Sequence, residues 1–317
     1  MMGWRIRTAS MFIVMTLIML VVGLAVGYLL DSTLNLTDRM LIGTAIMLIL
    51  SVVFCTYAYF FSKRGALRAN KARIVTEAEE PRLYSIVRNV ANKAGLPMPE
   101  VGVSELGMPN AFATGQNPKN AAVVATRGIL NLLSDEQLEG VFAHEMSHVK
   151  NRDILVMSVA STMAAVLSFL SRYAMWMVLF NRNNRNGYAV IIAILVSVTV
   201  PIAAILVQLS ISRNREYLAD YTGAMITGKP RALASALRAI ESGVNSQSNN
   251  YNNNSYSNMW ISEPVRKKSI FSRLFSTHPP MEDRIARLND LAVKMESGQV
   301  PRGGASSTGQ QTYNPYN

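Results

Sequence analysis

Hydrophobic positions gather into four long apolar runs: Thr8 to Leu30, Met40 to Phe61, Ile154 to Phe180 and Gly187 to Ser212. A helix that crosses roughly 30 Å of hydrocarbon needs about 20 apolar residues, so each run is long enough to span a bilayer. The first is longer than a signal-peptide core and closes on "GYLLDS" instead of a small-residue cleavage site, which predicts a retained span. The link "DSTLNLTDR" makes the first two runs a tight hairpin. Arg172 interrupts run three, Pro201 and Gln208 lie in run four, and Arg182 and Arg185 lie between them. This second pair is therefore expected to span fully or to form a deep re-entrant or interfacial hairpin.

The polar segments show shorter periods. "EPRLYSIVRNVANKAG" has helical spacing and a glycine stop at Gly95, "EVGVSEL" and "NAAVVATRG" read as short strands, and Ser134 with Gln137 marks a helix start near Asp135. Further helices are predicted from Arg213 to about Ile226, from Pro230 to about Ser242 and from Met281 to about Ser297. "VNSQSNNYNNNSYSN" is too polar to order by packing and reads as a loop, and the tail 298–317 reads as disordered. The fold class is α+β, predominantly helical, an integral membrane protein with four apolar helices and a small β-sheet in its polar part. It divides into a hairpin (1–61), the first half of a polar domain (62–153), a second apolar hairpin (154–212), the second half of that domain (213–297) and the tail.

Composition supports this division. Half of the 317 residues are hydrophobic and 16% are charged, more apolar than a water-soluble core requires. The net charge of +11 sits in clusters beside the apolar runs, Arg5 and Arg7 before the first and Lys63, Arg64, Arg68, Lys71 and Arg73 after the second. That is positive-inside anchoring rather than a nucleic-acid surface, and it puts the N-terminus and the polar domain in the cytoplasm. The lone Cys55 excludes an internal disulfide and a cysteine-based zinc cage, so a metal site must use histidine and carboxylate.

The candidate chemistry lies in "FAHEMSHVKNRD". On a helix His144 and His148 share one face and can bind one ion, while Glu145 can reach a water on it. A zinc ion there needs a third protein ligand and lowers the pKa of its water, which Glu145 would deprotonate as catalytic base. In "SRNREYLADYTGA", Glu216 and Asp220 are also four apart, so Glu216 can face the metal and Asp220 the free N–H of a ligating histidine. His278 is the rival third ligand.

"HEMSHVKNRD", "NREYLAD", "NAFATG" and "STHPPMEDRI" together resemble the HtpX-type membrane zinc metalloproteases, relatives of the CAAX prenyl proteases, over nearly the whole chain. The resemblance implies a zincin-like domain with one zinc on His144, His148 and Glu216, Glu145 as base and Asp220 behind a ligating histidine. It also implies a bacterial inner-membrane enzyme in quality control and stress response, acting on misfolded membrane proteins or unfolded polypeptides, itself included. Asn110, Ala111, Phe112 and Ala113 read as an edge strand that pairs with substrate, or as an ordinary loop. His278 either hydrogen-bonds an oxyanion or fixes the start of the last helix, and Arg284 either pairs with an acid near the site or is solvated.

"GAMITGKP" imitates a phosphate-binding loop but has Pro230 where Ser or Thr would meet magnesium, so no nucleotide is expected and proteolysis is ATP-independent. The expected partners are polypeptide substrate and the lipid bilayer, with no nucleic acid. A prenyl-protein endopeptidase and a non-catalytic metal-binding module are the alternatives.

Overall fold

The computed structural model describes residues 34–155, 213–247 and 279–301, with scattered helical positions between 9 and 27. Most of runs three and four, the Asn-rich stretch from 248, His278 and the tail beyond 301 lie outside these residues.

Helix α1, Leu36–Ala69, is capped by Asn35, whose side chain accepts from the Asp38 N–H. It contains the second apolar run and continues through "SKRGALRA". Charge marks where apolar character stops, but the Lys, Arg, Ala and Leu residues here are good helix formers and the helix does not stop with it. Among the described residues no helix offers an unbroken apolar stretch long enough to cross a membrane; the side chains at 51, 54, 55 and 58 of α1 fall outside them. The first two runs touch closely: a Cβ on Gly43 would lie 2.4 Å from the Gly23 carbonyl oxygen and 2.5 Å from the Gly27 nitrogen.

Strand β1, Ala72–Ile74, follows α1, and helix α2 occupies Pro81–Ala94 with Gly95 in the left-handed region at φ 67°. Strands β2 (Glu100–Ser104), β3 (Ala111–Gly115) and β4 (Ala121–Thr126) complete a sheet of order β1-β2-β4-β3, with β2 and β4 parallel and both outer pairs antiparallel. Helices α3 (Arg127–Leu132) and α4 (Asp135–Lys150) follow, then α5 (Arg213–Thr227), α6 (Pro230–Gln247) and α7 (Met281–Glu296).

Helix α4 lies at the centre of the described residues, and every residue from Leu138 to Val149 is buried. One face of the sheet (Val101, Val103, Val123, Ala125) joins α4, α2, α6 and α7 in the main core. The other face meets the end of α1, where Ala66 packs on Phe112 and Val124. Polar ties fix the junction: Gln116 Nε2 donates to the Tyr59 and Phe60 carbonyls at 2.8 and 3.1 Å, and Lys63 reaches Glu100 at 2.8 Å. The second apolar run is thus joined directly to the strand beside the candidate site.

Besides the end of α1, three further features differ from the pattern. Strand β1 is too short for alternation to register. Helix α6 runs on to Gln247 because Val244 is buried in the core. The start of the tail is held, with Val300 buried and its N–H on the Lys294 carbonyl at 3.2 Å.

Candidate metal centre

Helix α4 begins at a capping box, in which the Gln137 N–H donates to Ser134 Oγ at 3.4 Å and the Ser134 N–H to Gln137 Oε1 at 3.0 Å. Ser134→Ala is expected to cost about 1 kcal/mol, read as a lower denaturant midpoint with unchanged slope.

About two and a half turns into α4, His144 and His148 bring their Nε2 atoms to 3.3 Å. Glu216 of α5 faces both, Oε2 at 3.6 Å from His144 Nε2 and Oε1 at 3.5 Å from His148 Nε2. Tetrahedral ligands at zinc distances of about 2.0–2.1 Å stand about 3.4 Å apart, so these three donors have the spacing and chemistry that a zinc-sized cation requires. Among the described residues this is the group of histidine and carboxylate donors able to close on one ion. Of the two rivals for third ligand, Glu216 is placed here, and His278 lies outside the described residues.

Behind each imidazole stands an aspartate joined to an arginine. Asp220 Oδ1 lies 2.9 Å from His144 Nδ1. The fully buried Arg284 of α7 grips Asp220 with Nε on Oδ2 at 2.8 Å and Nη2 on Oδ1 at 2.7 Å. On the other side Asp153 Oδ2 lies 3.5 Å from His148 Nδ1, and Arg215 Nη1 donates to Asp153 Oδ1 at 2.7 Å. The sequence reading missed Asp153 and Arg215. A carboxylate five residues after a candidate ligand was a usable signal for the first; nothing local marks an arginine 62 residues further on.

Glu145, the next residue on α4, reaches β3, where its Oε2 accepts the Ala113 N–H at 2.9 Å. Ala111, Phe112 and Ala113 belong to the sheet's terminal strand and Asn110 precedes it, all of them buried. His144, Glu145, His148 and Glu216 are each 5% exposed or less, so the site as described is closed to a polypeptide.

Burial lowers the His144 pKa, but the Asp220 and Glu216 carboxylates outweigh it and hold the ring up at about 9. Burial raises Glu145, against the pull of the two histidines. Burial also works against the Asp220 carboxylate, yet the Arg284 guanidinium keeps it below the ordinary range. A metal must displace the His144 proton. With the folded value raised above 6.5 to about 9, apparent metal affinity is expected to fall about tenfold per unit as pH drops below about 9 and to level off above it. Competition against a chelator of known pH dependence checks this.

Helix α5 approaches α4 closely at Gly223, where a Cβ would lie 2.7 Å from the His144 nitrogen and 2.9 Å from its Cα. Backbone cannot give way as a side-chain tip can. Gly223→Ala is expected to cost about 1–3 kcal/mol and to weaken metal binding, because Glu216 and Asp220 ride on the displaced helix. Thermal melts and metal titration of the same sample separate the two effects.

Residues 77–292 match Peptidase family M48, a segment holding every site residue described above. The chain belongs to peptidase family M48. This M48 peptidase is accordingly a metalloprotease, a hydrolase of peptide bonds. It is 48% identical over 253 residues to the Protease HtpX homolog of Thermococcus kodakarensis, covering 79% of this chain and 87% of that one. The Protease HtpX homolog of Thermococcus sibiricus is 42% identical over 298 residues, covering 92% and 98%. The crystal structure of S. mikatae Ste24p aligns over 86% of this M48 chain and 62% of that one, at a TM-score of 0.49 and 19% identity.

Proposed function

We propose that this M48 peptidase is a membrane-embedded zinc endopeptidase of quality control and stress response that cleaves misfolded or damaged membrane proteins at the cytoplasmic face of a bacterial inner membrane. The observation that carries the reading is the meeting of His144, His148 and Glu216 at cation spacing with Glu145 buried beside them. The four apolar runs and the flanking basic clusters support the membrane placement. Asp153 immediately precedes run three and Glu216 follows run four within a few residues, which keeps the site near the bilayer surface.

His144, His148 and Glu216 would hold one zinc ion per subunit, which supplies Lewis acidity that makes water available as a nucleophile near neutral pH. Glu145 takes the proton of the attacking water and returns it to the leaving amine; its raised pKa suits both halves of that exchange. Asp220 holds His144 in the tautomer that leaves Nε2 free for the metal. Strand β3 offers its outer backbone edge to an extended substrate once the closed site opens. Arg284 supports the site from the last helix through its grip on Asp220.

Cleavage in detergent of an unfolded membrane protein, with prenylated peptides as competitors, tests the substrate class. Unfolded membrane chains are expected to be cut with little inhibition by the peptides. Preferential cutting of the prenylated peptides would move the reading to a CAAX-type endopeptidase, and zinc binding without cleavage of either would leave a binding module.

A further inference from the structure

We propose that Asp153 and Arg215 form a positioning pair for His148, with Asp153 aligning the imidazole from its Nδ1 side and Arg215 fixing Asp153. The proposal rests on the reading of His144, His148 and Glu216 as metal ligands. Both members of the pair are 5% exposed, and they meet at 2.7 Å. Replacing a buried ion pair with apolar residues is often neutral for stability, so the energy of folding alone gives weak reason for such a pair. Its geometry gives a better one. Asp153 Oδ2 faces His148 Nδ1 at 3.5 Å on the side of the ring away from Glu216, as Asp220 faces His144. Arg215 adjoins the ligand Glu216 on α5, so one side chain fixes the orientation of one ligand while the next residue supplies another. The pair also joins positions on either side of residues 156–212 in the sequence, so that Asp153 and Arg215 meet across them beside one ring.

The test uses the full chain in detergent, carrying Glu145→Gln to prevent self-cleavage, stripped by chelator and titrated with zinc against a chromophoric competitor. Asp153→Asn is expected to lower zinc affinity by about 10–100-fold, the usual effect of losing a partner behind a ligating histidine. Arg215→Lys is expected to lower it less, in the same direction. The double variant Asp153→Leu/Arg215→Met is expected to melt close to the parent and still lose affinity to the extent that Asp153→Asn does. Cobalt loading adds a spectroscopic readout: the visible absorption of the bound ion should change in both Asp153 variants. Parent-like zinc affinity and cobalt spectra in folded variants overturn the proposal while leaving the metal centre intact. A parent that binds no zinc overturns both. If every variant unfolds before zinc can be measured, the pair is a structural clasp and the positioning role is wrong.

Discussion

Glu145→Gln is expected to slow peptide hydrolysis by about 10²–10⁴-fold while leaving metal affinity within a few-fold of wild type. The substitution is nearly isosteric, and the new amide oxygen can still accept the Ala113 N–H that Glu145 holds at 2.9 Å. What it removes is the group able to take a proton. Burial already raises the Glu145 pKa, so the charged form is costly in the fold and the neutral amide should melt no lower than wild type. Side-by-side turnover, chelator competition and melting of the two proteins check all three statements. Comparable turnover in the variant would remove Glu145 from the chemistry.

Arg284→Met is expected to destabilise the protein by about 3–5 kcal/mol, the usual consequence of leaving one member of a buried ion pair uncompensated. Arg284 is 0% exposed and its two bonds to Asp220 are 2.7 and 2.8 Å, so no water replaces it readily. Arg284→Met combined with Asp220→Leu should recover much of the melting temperature, because both charges are gone. It should not recover metal affinity, which stays about 10–100-fold low with nothing to orient His144. Calorimetry with zinc titration on the single and double variants tests the contrast. The same pair sets a pH sign: Asp220 is held below 3.8, so its contribution is complete above 3.8 and is lost as pH falls through the depressed value.

Much of the centre was legible because its chemistry is local. His144 and His148 are one helical turn apart, as are Glu216 and Asp220, so each pair shares a face before any tertiary contact is known. The Ser134 and Gln137 spacing likewise marked the start of the helix that carries the first pair. Contacts made by packing were not legible. Arg215 meets Asp153 across 62 residues, and Gly223 reads as part of an ordinary helix until its approach to His144 is seen. The overrun of α1 past Phe61 has the same origin: hydropathy marks a change of surroundings, whereas the helix ends where its backbone caps at Asn70. Strand β1 is fixed by its pairing with β2 rather than by any alternation of its own.

The most direct measurement strips the full-length protein with chelator and returns zinc in known equivalents while cleavage of an unfolded membrane protein is followed, wild type beside Glu216→Gln. Cleavage that disappears on stripping, rises linearly and saturates at one zinc per chain, with Glu216→Gln binding zinc weakly and cutting little, is the expected result. Undiminished cleavage after stripping, or wild-type zinc binding and turnover in Glu216→Gln, would contradict a metal centre built from His144, His148 and Glu216.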